Sequence, residues 1–194
     1  MVMHQKTSNT FLAVIILIVG VLAFRLIPHM PNFTPVVGAT LFSAAFFKDK
    51  KWMMFVPFVL IFIGDFIINN TIARAYFTEE EGLIFFSNYM IYTFISYALI
   101  LAIGSTILKN LLWKNVLLSQ VISTLLFFVV TNFGTWLHAT SLYTKDFSGL
   151  LSCYIAALPF LNNAFLGDLI STTVLFGSYF AISYWWSARS AAEA

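Results

Sequence analysis

Apolar residues run in long blocks along this chain, and polar residues gather in short clusters between them. The blocks cover 10–27, 35–47, 52–69, 84–108, 116–137 and 156–186. A membrane-spanning helix needs about 20 mostly apolar residues, within roughly 17 to 25. Only the second block, at thirteen residues, is short for a full crossing. Pro35 suits the first turn of a helix, where its missing N–H is not needed. An ordered non-helical lead-in can supply the rest of the length, because such backbone is tolerated at depth when buried in protein. The expected fold class is therefore all-α: a polytopic membrane protein, one domain over residues 1–194, with six transmembrane helices, the second one short.

Composition agrees with that pattern. The chain is 60% hydrophobic and 9% charged, with mean hydropathy +0.89. Soluble domains carry about 25% charged residues, so this chain lacks the side chains for a polar skin. A net charge of +2 without a basic stripe argues against nucleic acid as a partner. Cys153 is the single cysteine, which excludes an internal disulfide. Lys6 followed by the apolar run Phe11–Phe24 has the outline of a signal peptide, with Val21 to Ala23 as a passable cleavage site. The apolar run continues to Ile27, which favours a retained helix.

Basic residues orient the spans. Six crossings put Lys6, Lys48, Lys50, Lys51, Lys109, Lys114 and Arg189 on one side, and Arg25, Arg74 and Lys145 on the other. Seven against three predicts cytoplasmic N and C termini by the positive-inside rule. Trp52, Trp113, Trp185 and Trp186 then fall at the inner interface, where indoles settle. The expected location is the inner (cytoplasmic) membrane of a cell, multi-pass.

The acids sort to the other side. Asp65 and Asp168 lie within apolar blocks, each preceded by glycine, at about the middle or outer half of the bilayer. An aspartate at a helix centre costs roughly 2.5–3.5 kcal/mol on insertion scales, so such residues face a partner or a wet cavity. Arg25 is the natural partner and His29 a weaker second. Three readings stand side by side: a buried ion pair bolting helices together, a ligand or ion site, or a proton relay. The glycines let a neighbouring helix come close, which suits the bolt. Pro57-Phe58 before Gly64-Asp65 and Pro159-Phe160 before Gly167-Asp168 have the look of an internal repeat; chance likeness between apolar helices accounts for it equally well.

Further polar groups cluster on the same side. Thr131 to Trp136 (TNFGTW) ends the fifth block, and Leu158 to Asn163 (LPFLNN) opens the sixth. Asn132, Asn162 and Asn163 can donate and accept hydrogen bonds. Trp136, Tyr143 and Tyr154 suit either a pocket wall or the outer aromatic belt. The segment Arg25 to Pro35 (RLIPHMPNFTP) carries Arg25, His29, Asn32 and Thr34 on a backbone stiffened by Pro28, Pro31 and Pro35. It reads as a lid or wall over the bundle. No phosphate-binding glycine loop, HExxH or paired-cysteine motif occurs, so an enzyme, a resident metal and a cofactor are not expected. The run Glu79–Glu81 reads as a solvated loop.

The first loop, the Gly64-Asp65 pair, TNFGTW with Tyr143, and the run Gly149 to Leu169 (GLLSCYIAALPFLNNAFLGDL) together resemble a family of small, uncharacterised bacterial membrane proteins labelled as transport proteins. That family is in turn similar to the S components of energy-coupling factor transporters. The resemblance implies a six-helix protein that captures a vitamin-like solute or a metal ion from outside. It also implies docking on a transmembrane coupling protein with cytoplasmic ATPases. Ala13, Gly20 and Ala23 supply small residues on the first helix, where S components dock. The N-terminal histidine motif of the cobalt- and nickel-specific members is absent. The function expected is thus membrane transport of a small polar solute, with Arg25, His29, Asn32, Asp65, Asn132, Trp136, Asn163 and Asp168 lining or supporting the site. The alternative is an accessory subunit of a larger membrane complex, whose polar motifs are packing bolts and partner contacts.

Overall fold

The computed structural model describes residues 15–25, 27, 30–47, 49–76, 82–138 and 141–192. Lys6, Ala13, Pro28, His29, Lys48, Glu79, Glu80, Glu81 and Glu193, which entered the sequence reading, lie outside the described residues. The described residues form helices and no strand: α1 (described over Ile15–Arg25), α2 (Val36–Phe46), α3 (Lys50–Asn70), α4 (Asn88–Ile107), α5 (Trp113–Leu137) and α6 (Phe147–Ala192). A short 3-10 turn, Arg74–Tyr76, lies between α3 and α4. α3, α4, α5 and α6 are long and apolar enough to cross a membrane; α1 over its described part and α2 are shorter apolar helices.

Helix ends depart from the sequence expectation for identifiable reasons. α3 begins at Lys50 because the Asp49 carboxylate accepts from the Lys51 N–H at 2.9 Å, a side-chain cap on an orphan donor. α4 begins at Asn88, not 84. The Asn70 side chain holds Ile84 in extended backbone, donating to Ile84 O at 2.9 Å and accepting from Ile84 N at 2.8 Å. The sixth helix starts at Phe147, nine residues before the expected 156. Asp146 caps it, its side chain accepting from Gly149 N at 2.7 Å. Pro159 does not end it, nor does Pro57 end α3. Membrane helices absorb such a lost N–H through neighbouring helices and local adjustment.

The bundle is apolar outside, and its interior mixes apolar side chains with buried hydroxyl and amide groups. On α5 the buried residues include Ser119, Gln120, Ser123, Thr124 and Thr131, while Leu118, Leu125, Val129 and Phe133 face outward. A soluble helix would reverse that order. Small and hydroxyl side chains are the usual packing residues between membrane helices, since lipid gives apolar groups no reason to hide.

Neighbour relations define the architecture. α3 packs on α4, α4 on α5, and α5 on α6; α3 contacts neither α5 nor α6, and α4 does not contact α6. The four long helices therefore form an open arc. α2 touches all four and fills the inside of the arc. Its residues Val36 to Leu41 are all buried, and its rings Phe42 and Phe46 pack on Phe176 of α6 at 5.4 and 5.9 Å. Leu17 and Val21 of α1 join this core with Val56, Leu60, Ile100 and Val116. Phe47, Asp49 and the turn at 108–112 lie at one end, here the tight-turn end; the described residues of 30–35, 71–76, 82–87 and 141–146 lie toward the other.

Candidate functional site

α2 is shorter than the four long helices around it. The segment leading into it, the tip of the α1–α2 hairpin, reaches α6 at Gly167, where an added Cβ would lie 2.9 Å from Thr34 N and 3.1 Å from Phe33 Cα. Asp168, the next residue, stands opposite Thr124 of α5 at 2.6 Å. From Thr124, α5 continues thirteen residues to Leu137, about 20 Å at ~1.5 Å per residue. The tip thus meets α6 about 20 Å below the rim of α5. On the α3 side it is shallower: Asp65 lies five residues before the helix end at Asn70, about 8 Å. The Met30–Pro35 segment forms a floor at this level, between α3 and α6.

The floor is tied down from several sides. Asn163 donates from Nδ2 to Pro31 O at 3.1 Å. The rings of Phe24 and Phe33 lie 5.9 Å apart. Asn32 adopts φ +62°, a left-handed conformation that asparagine tolerates better than most residues. Met30, Pro31 and Asn32 remain exposed. Non-helical backbone at membrane depth is viable only where protein covers it or water reaches it.

Arg25 and Asp65 meet at the α3 side of the floor. Arg25 Nη2 donates to Asp65 Oδ1 at 2.7 Å, and Nη1 donates to Leu60 O at 3.1 Å. The pair is largely withdrawn from solvent, with side-chain exposures of 12% and 15%. Gly64 makes it possible: a Cβ there would sit 2.2 Å from Arg25 Nη1. Two donors at this level are buried and unpartnered, Arg25 Nε and Asn69 Nδ2. Asn70 next door is saturated, with a further bond to Phe66 O at 2.8 Å. Tyr89 of α4 lies beside Thr131 of α5 and within electrostatic reach of Asp65.

The remaining residues expected at the site are placed elsewhere. Asn132 donates to Phe128 O of its own helix at 2.8 Å, and its carbonyl accepts from Cys153 Sγ at 3.5 Å. Trp136 Nε1 donates to Thr144 O at 2.8 Å, and Lys145 Nζ lies 5.8 Å from its ring centroid. Lys145 also donates to the carbonyls of Trp136 and His138. These groups hold the α5–α6 joint. Asp168 is 3% exposed and bonds Thr124, which in turn accepts from Gln120 Nε2 at 3.1 Å. The structure therefore pairs Arg25 with Asp65 on α3, ties Asn163 of α6 to Pro31 beside Asn32, places Asp168 one residue beyond the α6 glycine that meets Phe33 and Thr34, and puts Asn132 with Trp136 at the α5–α6 joint. His29 lies outside the described residues.

Sequence reasoning missed Asn69, Tyr89, Gln120 and Thr124. For the last two a signal was present: Ser119, Gln120, Ser123 and Thr124 recur at helical spacing inside the apolar run of α5.

Described residues that form helices and no strand, with four spans of membrane length, an apolar exterior and hydroxyl and amide groups buried inside, make a polytopic membrane protein. Residues 5–190 match a family described as "Family of unknown function (DUF6580)", and the chain belongs to that family. No curated protein and no solved structure was found to match it.

Proposed function

We propose that this protein is an S-component-like membrane transport protein that takes a small polar, vitamin-like solute from the outer face into a well above the α1–α2 tip, walled by α3, α4, α5 and α6. The observation that carries this reading is the pair of unpartnered donors, Arg25 Nε and Asn69 Nδ2, beside an exposed non-helical floor. Unmade hydrogen bonds on buried polar groups are costly, and a solute with acceptor oxygens would satisfy both. Asp65 orients Arg25, Asn163 fixes the floor through Pro31, and Tyr89 offers a flat ring and a hydroxyl.

In this reading six helices cross the inner membrane and both termini are cytoplasmic. Ile16, Val19, Gly20 and Ala23 form an exposed face of α1 that suits docking on a coupling protein with ATPases. Thiol labelling tests the orientation. In a Cys153→Ser background, a membrane-impermeant maleimide applied to cells should label Leu142→Cys and spare Asn110→Cys. Labelling of Asn110→Cys alone inverts the topology.

Heat stability of purified protein against a library of vitamins and related anions tests the function. A cognate solute stabilises the folded form by mass action, and Asn69→Ala should abolish that response. The closed Arg25–Asp65 pair favours the second reading, an accessory subunit in which the pair is a bolt. That reading predicts no response to any solute and full heat stability for the Arg25→Gln, Asp65→Asn double variant.

A further inference from the structure

Asp168 has no part in the well, yet it is 3% exposed inside the bundle. No basic side chain among the described residues pairs with it, because Arg25 is joined to Asp65. Its carboxylate accepts one hydrogen bond, from Thr124 Oγ1 at 2.6 Å. Gln120 Nε2 donates to the same Thr124 oxygen, so the single hydroxyl proton of Thr124 points at Asp168. α5 and α6 run antiparallel. The Thr124–Asp168 rung is therefore followed, one turn nearer the tight-turn end, by a rung of Gln120 and Thr172. Both residues are 0% exposed. Gln120 Oε1 and Thr172 Oγ1 have no hydrogen-bond partner. One N–H of Gln120 is engaged by Thr124, and its oxygen accepts no hydrogen bond. Around one buried carboxylate, then, two neighbouring oxygens lack any donor.

We infer that Asp168, Thr124, Gln120 and Thr172 form a membrane-buried site for a single dehydrated sodium ion. Oxygen ligands select hard cations over soft ones. One carboxylate balances one positive charge; a divalent ion would leave a net charge in a low-dielectric interior, where it is expensive. The packing favours a small ion. Gly38 of α2 presses on this level so closely that a Cβ would meet Ser171 Oγ at 2.5 Å and Thr172 N at 2.9 Å. An intramembrane acid facing the bundle interior, near the level where a helical hairpin breaks, is where ion-coupled transporters place such sites. The inference does not depend on the solute reading, since it uses none of the residues of the well.

The test is thermal unfolding of the detergent-purified protein in sodium, potassium or choline chloride at equal ionic strength. Radioactive-sodium binding accompanies it. Sodium should raise Tm above the choline value by about 5 °C when saturating, with one ion bound per chain. Asp168→Asn keeps an acceptor for Thr124 and should lose both effects. Thr172→Val, which alters shape little, should raise the sodium needed for half-maximal stabilisation by about tenfold; it serves where Asp168→Asn does not fold. Equal Tm in the three salts with no bound sodium overturns the proposal, as does a sodium response unchanged in both variants. Stabilisation by acid alone, without a sodium effect, also overturns it by showing that a proton neutralises Asp168.

Discussion

Gly64-Asp65 on α3 and Gly167-Asp168 on α6 look alike as dipeptides and are used differently. In both, the glycine admits a close neighbour. At Gly64 the neighbour is the guanidinium of Arg25; at Gly167 it is the backbone of Phe33 and Thr34. The first aspartate therefore has a charged partner at 2.7 Å. The second has a hydroxyl at 2.6 Å and, among the described residues, no charged partner. A glycine beside an intramembrane acid thus signals that something packs closely there. It does not say whether that something is a counter-ion or main chain, and this difference separates a bolted ion pair from an acid awaiting a cation.

Asp65→Ala should give the largest effect, because it leaves Arg25 buried without its counter-charge. Loss of one partner of a buried pair costs about 3–5 kcal/mol, read as a fall in Tm. Adding Arg25→Gln should recover most of it; no recovery would show that the residues act separately. Gly167→Ala comes next, at about 1–3 kcal/mol for overpacking. The obstacle there is backbone, so no second substitution should relieve it. Gly64→Ala meets only the end of a side chain, and Arg25→Gln should relieve the clash. Were Gly167→Ala neutral in heat stability, the tip would not rest on α6.

Thr124→Val should cost about 1–3 kcal/mol by stripping a buried acceptor of its donor. Thr124→Ser should restore most of this, and failure to do so would make the loss a matter of packing. The smallest effect is at the α5–α6 joint. Gly149 N–H and the Thr144 hydroxyl bond Asp146 and hold its carboxyl below the ordinary value of 3.8. A carboxyl whose folded pKa is depressed stabilises the fold above its unfolded pKa and loses that contribution as pH falls through the folded value. Amide exchange at Gly149 should therefore quicken below pH 3.8, relative to the intrinsic rate. Asp146→Asn should show no such step.

Much of the fold is legible in the residues because length and hydropathy report on the solvent. Blocks of apolar residues as long as a bilayer is thick become the long helices, and the thirteen-residue block becomes the short α2. Arg25 and Asp65 stand out because full charges in apolar runs demand partners. Gln120, Thr124 and Thr172 do not stand out, since serine, threonine and glutamine in a membrane helix are ordinary packing residues until their unmade hydrogen bonds are seen. The extension of α6 to Phe147 was hidden for a related reason. Pro159 reads as a helix start, while the true start depends on Asp146 reaching Gly149. Trp136 and Asn132 share a short motif with Gly134, but which face each presents depends on how α6 crosses α5.

The sequence by itself determined the solvent, the helical class and the rarity of charge, because each follows from side chains counted along one dimension. Only the tertiary structure decided which polar groups meet. Neighbours within the bundle lie far apart in the chain, as Pro31 and Asn163 do at 132 positions. Contact at that separation is set by the depth of a hairpin tip and the register of α5 on α6, quantities that no local pattern encodes.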